Sequence, residues 1–131
     1  MNDHVDSDNE PDSSLAFPKS SRVRKQADFD RAHRQQAYAA DDTLVLRGSP
    51  NGLEHARLGL SVSRRVGNAV LRNRWKRLIR EAFRMSQAEI PRGMDFVVRP
   101  RKGAVANLAA IEASLPQLCR RLARLAKKEK S

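Results

Sequence analysis

The apolar positions of this chain fall into short β-type runs and longer helical stripes, and turn residues separate them. Residues 43–47 are rich in Leu and Val, and residues 57–63 alternate apolar side chains with Gly and Ser, so both predict strands. The Gly- and Pro-rich residues 48–52 between them predict a turn. Residues 94–99 alternate in the same way and predict a third strand. The pattern therefore predicts one small sheet.

Three stretches with helical periodicity flank these strands. The first covers about residues 24–37, and the second about residues 69–86. A third, over 107–127, carries a leucine-rich stripe that Pro116 interrupts, so we expect a kink or a restart at that proline. Cys119 borders the stripe and is expected to be a buried thiol. One sheet with flanking helices is an α+β domain.

The second helix has two chemically different faces, and Asn68 is a suitable N-cap for it. Its apolar sector contains Leu71, Trp75, Leu78, Ile79 and Ala82, with Phe83 at the margin. Its opposite side is cationic and contains Arg72, Asn73, Lys76, Arg77, Arg80 and Arg84, with Arg74 at the edge. Solubilising helix faces normally mix charges of both signs. A face of nearly one sign therefore predicts binding to a polyanion.

Overall charge strengthens that prediction. The chain of 131 residues has a formal net charge of +11, and residues 1–14 hold five acids and no Lys or Arg, so the other 117 residues carry +16. Such values are typical of proteins that bind nucleic acid. The acidic tail 1–14 is expected to be disordered, because it has too few apolar side chains to bury.

Few residues offer catalytic or metal-binding chemistry. The three histidines show no ligand spacing, the single cysteine excludes an intramolecular disulfide, and no phosphate-binding glycine loop is present. Asp41 and Asp42 predict a turn more strongly than a metal pair. No secretory signal or stretch of 18 apolar residues occurs, so a cytoplasmic protein without membrane contact is expected. The chain is therefore expected to be a binding protein without catalytic or metal-ligating residues.

The run RLGLSVSRRVGNAVLRNRWKRLIREAFR, with Arg72, Asn73 and Arg74 at its centre, resembles the signature of the bacterial ribonuclease P protein component. The likeness covers roughly residues 17–126. It implies a single domain over 15–128 with a ribosomal-protein-like fold, the order αβββαβα and a mixed sheet of four strands. The additional strand would be short and lie near Tyr38. The resemblance also implies a left-handed βαβ crossover around the basic helix, and residues 129–131 are expected to be a frayed end.

The resemblance further implies an RNA-binding subunit of ribonuclease P that assists removal of the 5′ leader from precursor tRNA. In that family the RNA subunit is the catalyst and uses Mg²⁺, so the protein itself would bind no cofactor. One protein per catalytic RNA is expected. The residues implied to contact this RNA are Arg64, Arg65, Asn68, Arg72, Asn73, Arg74, Lys76, Arg77 and Arg80.

A second implied site is a cleft between the first helix and the sheet that binds the single-stranded leader. Its candidate residues are Phe29, His33, Arg47, Ser61 and Ser63. From the pattern alone Phe29 would be a core residue, whereas the resemblance implies that it stacks on bases. His33 and Arg47 stand where the family often has aromatic residues, so charge is expected to contribute more to leader binding in this chain.

Two other classes of protein fit parts of the sequence. A DNA-binding regulator could use residues 69–86 as a recognition helix, but it would need a partner helix about 20 residues upstream. That window holds the strand predicted over 57–63 instead. A ribosomal or other structural RNA-binding protein would also carry such a basic helix. The identity of the RNA that co-purifies with the protein would distinguish this class from the ribonuclease P subunit.

Overall fold

The computed structural model describes residues 19–35 and 38–130. Its helices and strands follow one another as α1 (Gln26–Arg34), β1 (Tyr38–Ala40), β2 (Leu44–Pro50), β3 (Arg57–Leu60), α2 (Ala69–Met85), β4 (Met94–Pro100) and α3 (Leu108–Lys130). This order confirms the predicted αβββαβα arrangement, including the short strand near Tyr38. The acidic tail 1–14 and Ser131 lie outside the described residues.

The four strands form one mixed sheet in the order β1-β2-β4-β3. The β1–β2 and β2–β4 pairs are antiparallel, and the β3–β4 pair is parallel. Two parallel neighbours need a long connection, which here contains α2, so β3, α2 and β4 form a βαβ unit. A strand therefore precedes α2, and the helix-turn-helix interpretation is wrong. The hand of the crossover stays a prediction.

The hydrophobic core lies between one face of the sheet and the helices α2 and α3. Leu44, Leu46, Phe96 and Val98 project from the central strands into this core, and each is fully buried. The third helix contributes a stripe of buried side chains that includes Ile111, Leu115, Leu118, Cys119 and Leu122. Cys119 is fully buried, which confirms the predicted buried thiol, and this burial raises the pKa of the thiol. Helix α1 packs on the other face of the sheet, where it contacts β2 and β4.

Strand β2 extends through the segment that the sequence predicted as a turn. Gly48, Ser49 and Pro50 pair with Phe96, Asp95 and Met94 of β4. A β-carbon at Gly48 would lie 2.5 Å from the carbonyl oxygen of Asp95, so only glycine fits this close approach. The turn prediction for 48–50 is wrong because pairing with the central strand outweighs the local preference of Gly and Pro for turns.

The remaining element ends differ from expectation by a few residues. Helix α1 ends at Arg34 instead of about residue 37, because Gln35 has extended backbone. Strand β3 ends at Leu60, although the Ser61 amide still donates to the Val98 carbonyl at 2.9 Å. Helix α3 continues to Lys130 with Pro116 inside it, so the restart considered at this proline does not occur.

Candidate nucleic-acid interface

The N-terminus of α2 is held by a series of local hydrogen bonds. The Asn68 side-chain oxygen accepts from the Leu71 amide at 2.9 Å, which confirms the predicted N-cap. Arg72 donates from Nη1 to the Gly67 carbonyl at 2.9 Å, and the Ser63 hydroxyl accepts from the Arg65 amide at 3.3 Å. Gly67 has a φ of 152°, which favours glycine. These bonds fix the backbone from which the first arginines project.

Several of the predicted RNA-binding residues form one exposed patch at the start and along the outer side of α2. We call this patch the basic surface, and it consists of Arg64, Arg65, Asn68, Arg74 and Arg77. Arg72 and Asn73 lie at its border and are half-buried. Arg84 is also exposed, but it donates from Nε and Nη2 to the Glu81 carboxylate at 3.2 and 2.6 Å. The charge of Arg84 is therefore largely compensated within the helix.

Lys76 and Arg80 are not part of the basic surface. Their side chains are buried, with only 2% and 5% of the residue exposed, so the predicted exposure of both residues is wrong. Each takes part in at least one polar, ionic or ring contact within the chain. Long basic side chains can cover apolar surface with their methylene stems while the charged end finds a partner.

Helix α2 packs against two neighbours. It contacts β3 and also α3, so its buried sector is wider than the apolar stripe and turned toward Phe83. Leu71 and Leu78, at the other margin of the stripe, are only partly buried. Polarity alone locates one face of a helix. It does not reveal that a second element will cover the adjoining face.

The second candidate site lies where α1 crosses the open face of the sheet. The ring of Phe29 lies directly over Gly59 of β3, where a β-carbon would come within 2.9 Å of the Phe29 Cε1 atom. Phe29 is half-buried as a residue and is therefore outside the closed hydrophobic core. His33 follows one turn later, is exposed, and has Nδ1 within 2.8 Å of the Phe29 carbonyl oxygen. The predicted neighbourhood of α1 and the small-residue side of β3 is thus present.

Arg47 borders the same face of the sheet, where a hydrogen bond and a ring contact hold it. Its Nη1 donates to the Gln35 carbonyl at 3.1 Å, and its guanidinium carbon lies 5.5 Å from the centre of the Tyr38 ring. Tyr38 and Arg47 are direct partners in the β1–β2 register, so both side chains point to one face. Sequence reasoning missed Tyr38 as a site residue. The antiparallel register that brings it beside Arg47 was the missing information.

We call this region the cleft, defined by Phe29, His33, Tyr38, Arg47 and Gly59. Ser61 continues the β3 side of the cleft and is half-buried. Ser63 is exposed, but its hydroxyl caps the turn that carries Arg64 and Arg65. The structure therefore places Ser63 at the start of the basic surface, whereas the other four predicted leader residues lie on α1 or on the face of the sheet that α1 crosses.

A buried ionic network fastens α1 to the sheet. Asp95 is fully buried on β4 and accepts from Arg57 Nε and Nη2 at 2.7 and 2.6 Å, and from Asn51 Nδ2 at 2.9 Å. Asp28 of α1 lies 3.2 Å from Arg57 Nη2 and also pairs with Arg31. Hydrogen bonding to Asp95 raises the pKa of Arg57 despite its partial burial, and the charges of Asp95 and Asp28 add to this. Sequence reasoning missed this network because its members are far apart in the chain.

Two further properties bear on what the site can do. Among residues 19–35 and 38–130, no three His, Cys, Asp or Glu side chains come together in a way that could hold a metal ion. Asp28 of α1 and Asp95 of β4 are already engaged by arginines. Within the same residues, no helix has the length and apolar character needed to cross a membrane.

Comparison with known proteins gives a consistent result. The ribonuclease P family model matches residues 17–128. The ribonuclease P protein components of Photorhabdus laumondii and of Escherichia coli O157:H7 are each 43% identical over 116 residues, which is 86% of this chain and 96% of the relative.

Solved structures of similar proteins agree with this family match. The RNase P protein of Staphylococcus aureus superposes with a TM-score of 0.69 at 36% identity, covering 79% of this chain and 95% of that one. The Thermotoga maritima RNase P protein gives a TM-score of 0.69 at 33% identity, covering 76% and 96%. The extent of these matches, together with the basic helix and the cleft, shows that the chain belongs to the ribonuclease P protein component family, the protein subunits of a tRNA-processing ribonuclease.

Proposed function

We propose that this chain binds the catalytic RNA of ribonuclease P through its basic surface and the 5′ leader of precursor tRNA through its cleft. In this proposal the RNA subunit performs the cleavage and holds Mg²⁺, and one protein binds one RNA in the cytoplasm. The protein contributes affinity and orientation. The chemistry of cleavage is assigned to the RNA and not to side chains of this protein.

The observation that carries the leader assignment is the position of the Phe29 ring on Gly59. Because glycine has no side chain, the ring settles against β3, and Arg47 and Tyr38 line the same face of the sheet farther along, on β2 and β1. Accessible aromatic faces next to cations are what single-stranded RNA needs, since bases stack on rings and phosphates pair with guanidinium groups. A double helix keeps its bases paired and stacked, so they could not stack on such a ring.

The basic surface supports the other half of the proposal. Arg64, Arg65, Arg74 and Arg77 are exposed, and no ion pair to a described residue compensates any of them. Positive charges held this close together repel one another in the free protein. Phosphates of a folded RNA would relieve the repulsion and release bound counterions, which favours binding strongly at low salt.

The leader assignment can be tested in the holoenzyme with Phe29→Ala. Removing the ring should weaken binding of precursor tRNA by about tenfold, since stacking contributes roughly 1–3 kcal/mol per base, and should leave mature tRNA binding unchanged. Val105→Ala is a matched control, because Val105 is 78% exposed and lies in the loop before α3. Equal losses for precursor and mature tRNA would contradict leader stacking at Phe29.

A further inference from the structure

Arg99 stands out on the central strand of the sheet. Of the seven residues of β4 only Arg99 is exposed, whereas its neighbours Val98 and Pro100 are buried. Within the described part of the chain its guanidinium forms no hydrogen bond or ion pair. Helix α1 is anchored over the Asp95 end of β4, and Arg99 lies near the other end of the strand, beyond the last β3 residue that pairs with β4.

The strand register places Arg99 on the face that forms the cleft. Arg47 is the direct partner of Val97, and Arg99 follows Val97 by two residues, so Arg47 and Arg99 project from the same face as diagonal neighbours. Residues in this relationship lie about 7–8 Å apart. Gly59 is the partner of Val97 on the other side, so the same row continues toward the Phe29 ring.

From this arrangement we infer that Arg47 and Arg99 form a clamp for two successive phosphates of a single-stranded RNA lying in the cleft. The inference rests on the proposed function, because it takes the bound strand to be the leader. The strand positions of Arg47 and Arg99 are about as far apart as neighbouring phosphates in an extended strand, so two long side chains can reach one phosphate each. Contacts with Gln35 and Tyr38 hold the Arg47 side chain in place, whereas the Arg99 side chain can adjust its position to the RNA backbone. The clamp recognises charge and so favours no particular base.

The test compares Arg99→Gln with wild type in the holoenzyme reconstituted with the catalytic RNA. Affinity is measured for precursor tRNA with a leader of several nucleotides, for mature tRNA, and for precursors in which one leader phosphate at a time is replaced by a neutral methylphosphonate. Arg92→Gln is the matched control, because Arg92 is exposed just before β4 at the opposite end of that strand. Arg99→Lys should rescue binding, because a lysine also pairs with phosphate as a point charge.

We expect Arg99→Gln to weaken precursor binding about tenfold and to reduce its salt slope by about 0.7, with mature tRNA unaffected. One methylphosphonate should cause the same loss in wild type and no further loss in Arg99→Gln. If wild type binds precursor tRNA more tightly than mature tRNA and Arg99→Gln shows the same two affinities, the clamp proposal is refuted but leader binding is supported. If wild type binds precursor and mature tRNA equally, leader binding itself fails. An equal loss for both tRNAs in Arg99→Gln would also overturn the clamp.

Discussion

The edge of the Phe29 ring packs directly against Gly59. A side chain at position 59 would place its β-carbon too close to this ring edge. That β-carbon would lie 2.9 Å from Phe29 Cε1 and 3.0 Å from the Val23 β-carbon. The packing of α1 on the sheet therefore depends on the absence of one side chain in β3. The same contact sets how closely the Phe29 ring approaches the sheet.

Gly59→Ala is expected to destabilise the protein by about 1–3 kcal/mol, because an added methyl group must push the Phe29 ring outward. Gly48→Ala should be more damaging, since its β-carbon would meet the Asp95 carbonyl oxygen at 2.5 Å and backbone cannot rotate away. Urea denaturation of both variants gives the order. A Gly59→Ala variant less stable than Gly48→Ala would contradict this packing.

Asp95→Asn should reduce the free energy of unfolding by about 3–5 kcal/mol, because it removes the charge that compensates Arg57 inside the protein. Glu89→Gln is the control, since the Glu89–Arg120 pair is exposed and a pair of that kind contributes about 0–1 kcal/mol. Chemical denaturation measures both. Similar small effects in the two variants would mean that the Asp95 network does not hold α1 in place.

Asn68 serves as a helix cap and is also a candidate for binding RNA, and two substitutions separate these roles. Asn68→Ala should cost about 1 kcal/mol of stability, because the Leu71 amide loses its acceptor. Asn68→Asp keeps the acceptor and should preserve stability, but its negative charge should weaken binding to the catalytic RNA. Thermal unfolding and filter binding report the two effects. Unchanged RNA affinity in Asn68→Asp would remove Asn68 from the basic surface.

Arg74→Ala combined with Arg77→Ala should weaken binding to the catalytic RNA and lower the salt slope by about 0.7–0.9 for each phosphate that the protein no longer neutralises. Arg84→Ala on the same helix should have a smaller effect, because Glu81 already pairs with Arg84. Filter binding across a salt series measures the slope. Equal slopes for the double variant and wild type would place the RNA elsewhere.

Acid should weaken the attachment of the β1–β2 turn to α3 through Asp41. Burial opposes ionisation of this carboxyl, but hydrogen bonds from Ser114 and from the Leu44 and Thr43 amides, with the charge of Arg121, lower its pKa below the usual value of 3.8. A lowered pKa in the folded state adds stability that is present above pH 3.8 and is lost as pH falls further. Unfolding of wild type and Asp41→Asn should therefore converge at low pH. Parallel pH profiles would contradict this assignment.

Local signals in the sequence were sufficient for much of the fold. Asn68 before an apolar stripe located the start of α2 to the residue, because a cap depends on interactions within one helical turn. The alternation of Leu58 and Gly59 gave the two sides of β3 correctly, since side chains alternate along any strand. In both cases the decisive interaction lies close in the chain.

The parts that sequence reasoning missed depend on distant partners. Lys76 and Arg80 are buried although they lie on the polar side of α2, and Pro50 is in a strand because β4 pairs with it. Arg57 and Asp95 are 38 residues apart, and neither position indicates the other in a single sequence. Residue type indicates whether a position favours exposure or burial, and a turn or a strand. Packing between distant elements decides which of these the position adopts.

The central position of β4 has a consequence for how the chain folds during its synthesis. Strands β2 and β3 both pair with β4, and β3 has no other strand beside it in the described sheet. A ribosome must therefore release the chain as far as Pro100 before most of the sheet can form. Until then α2, with its arginines, emerges before the sheet on which it packs has formed. A chain shortened to end before Met94 should fail to fold, however complete its basic helix.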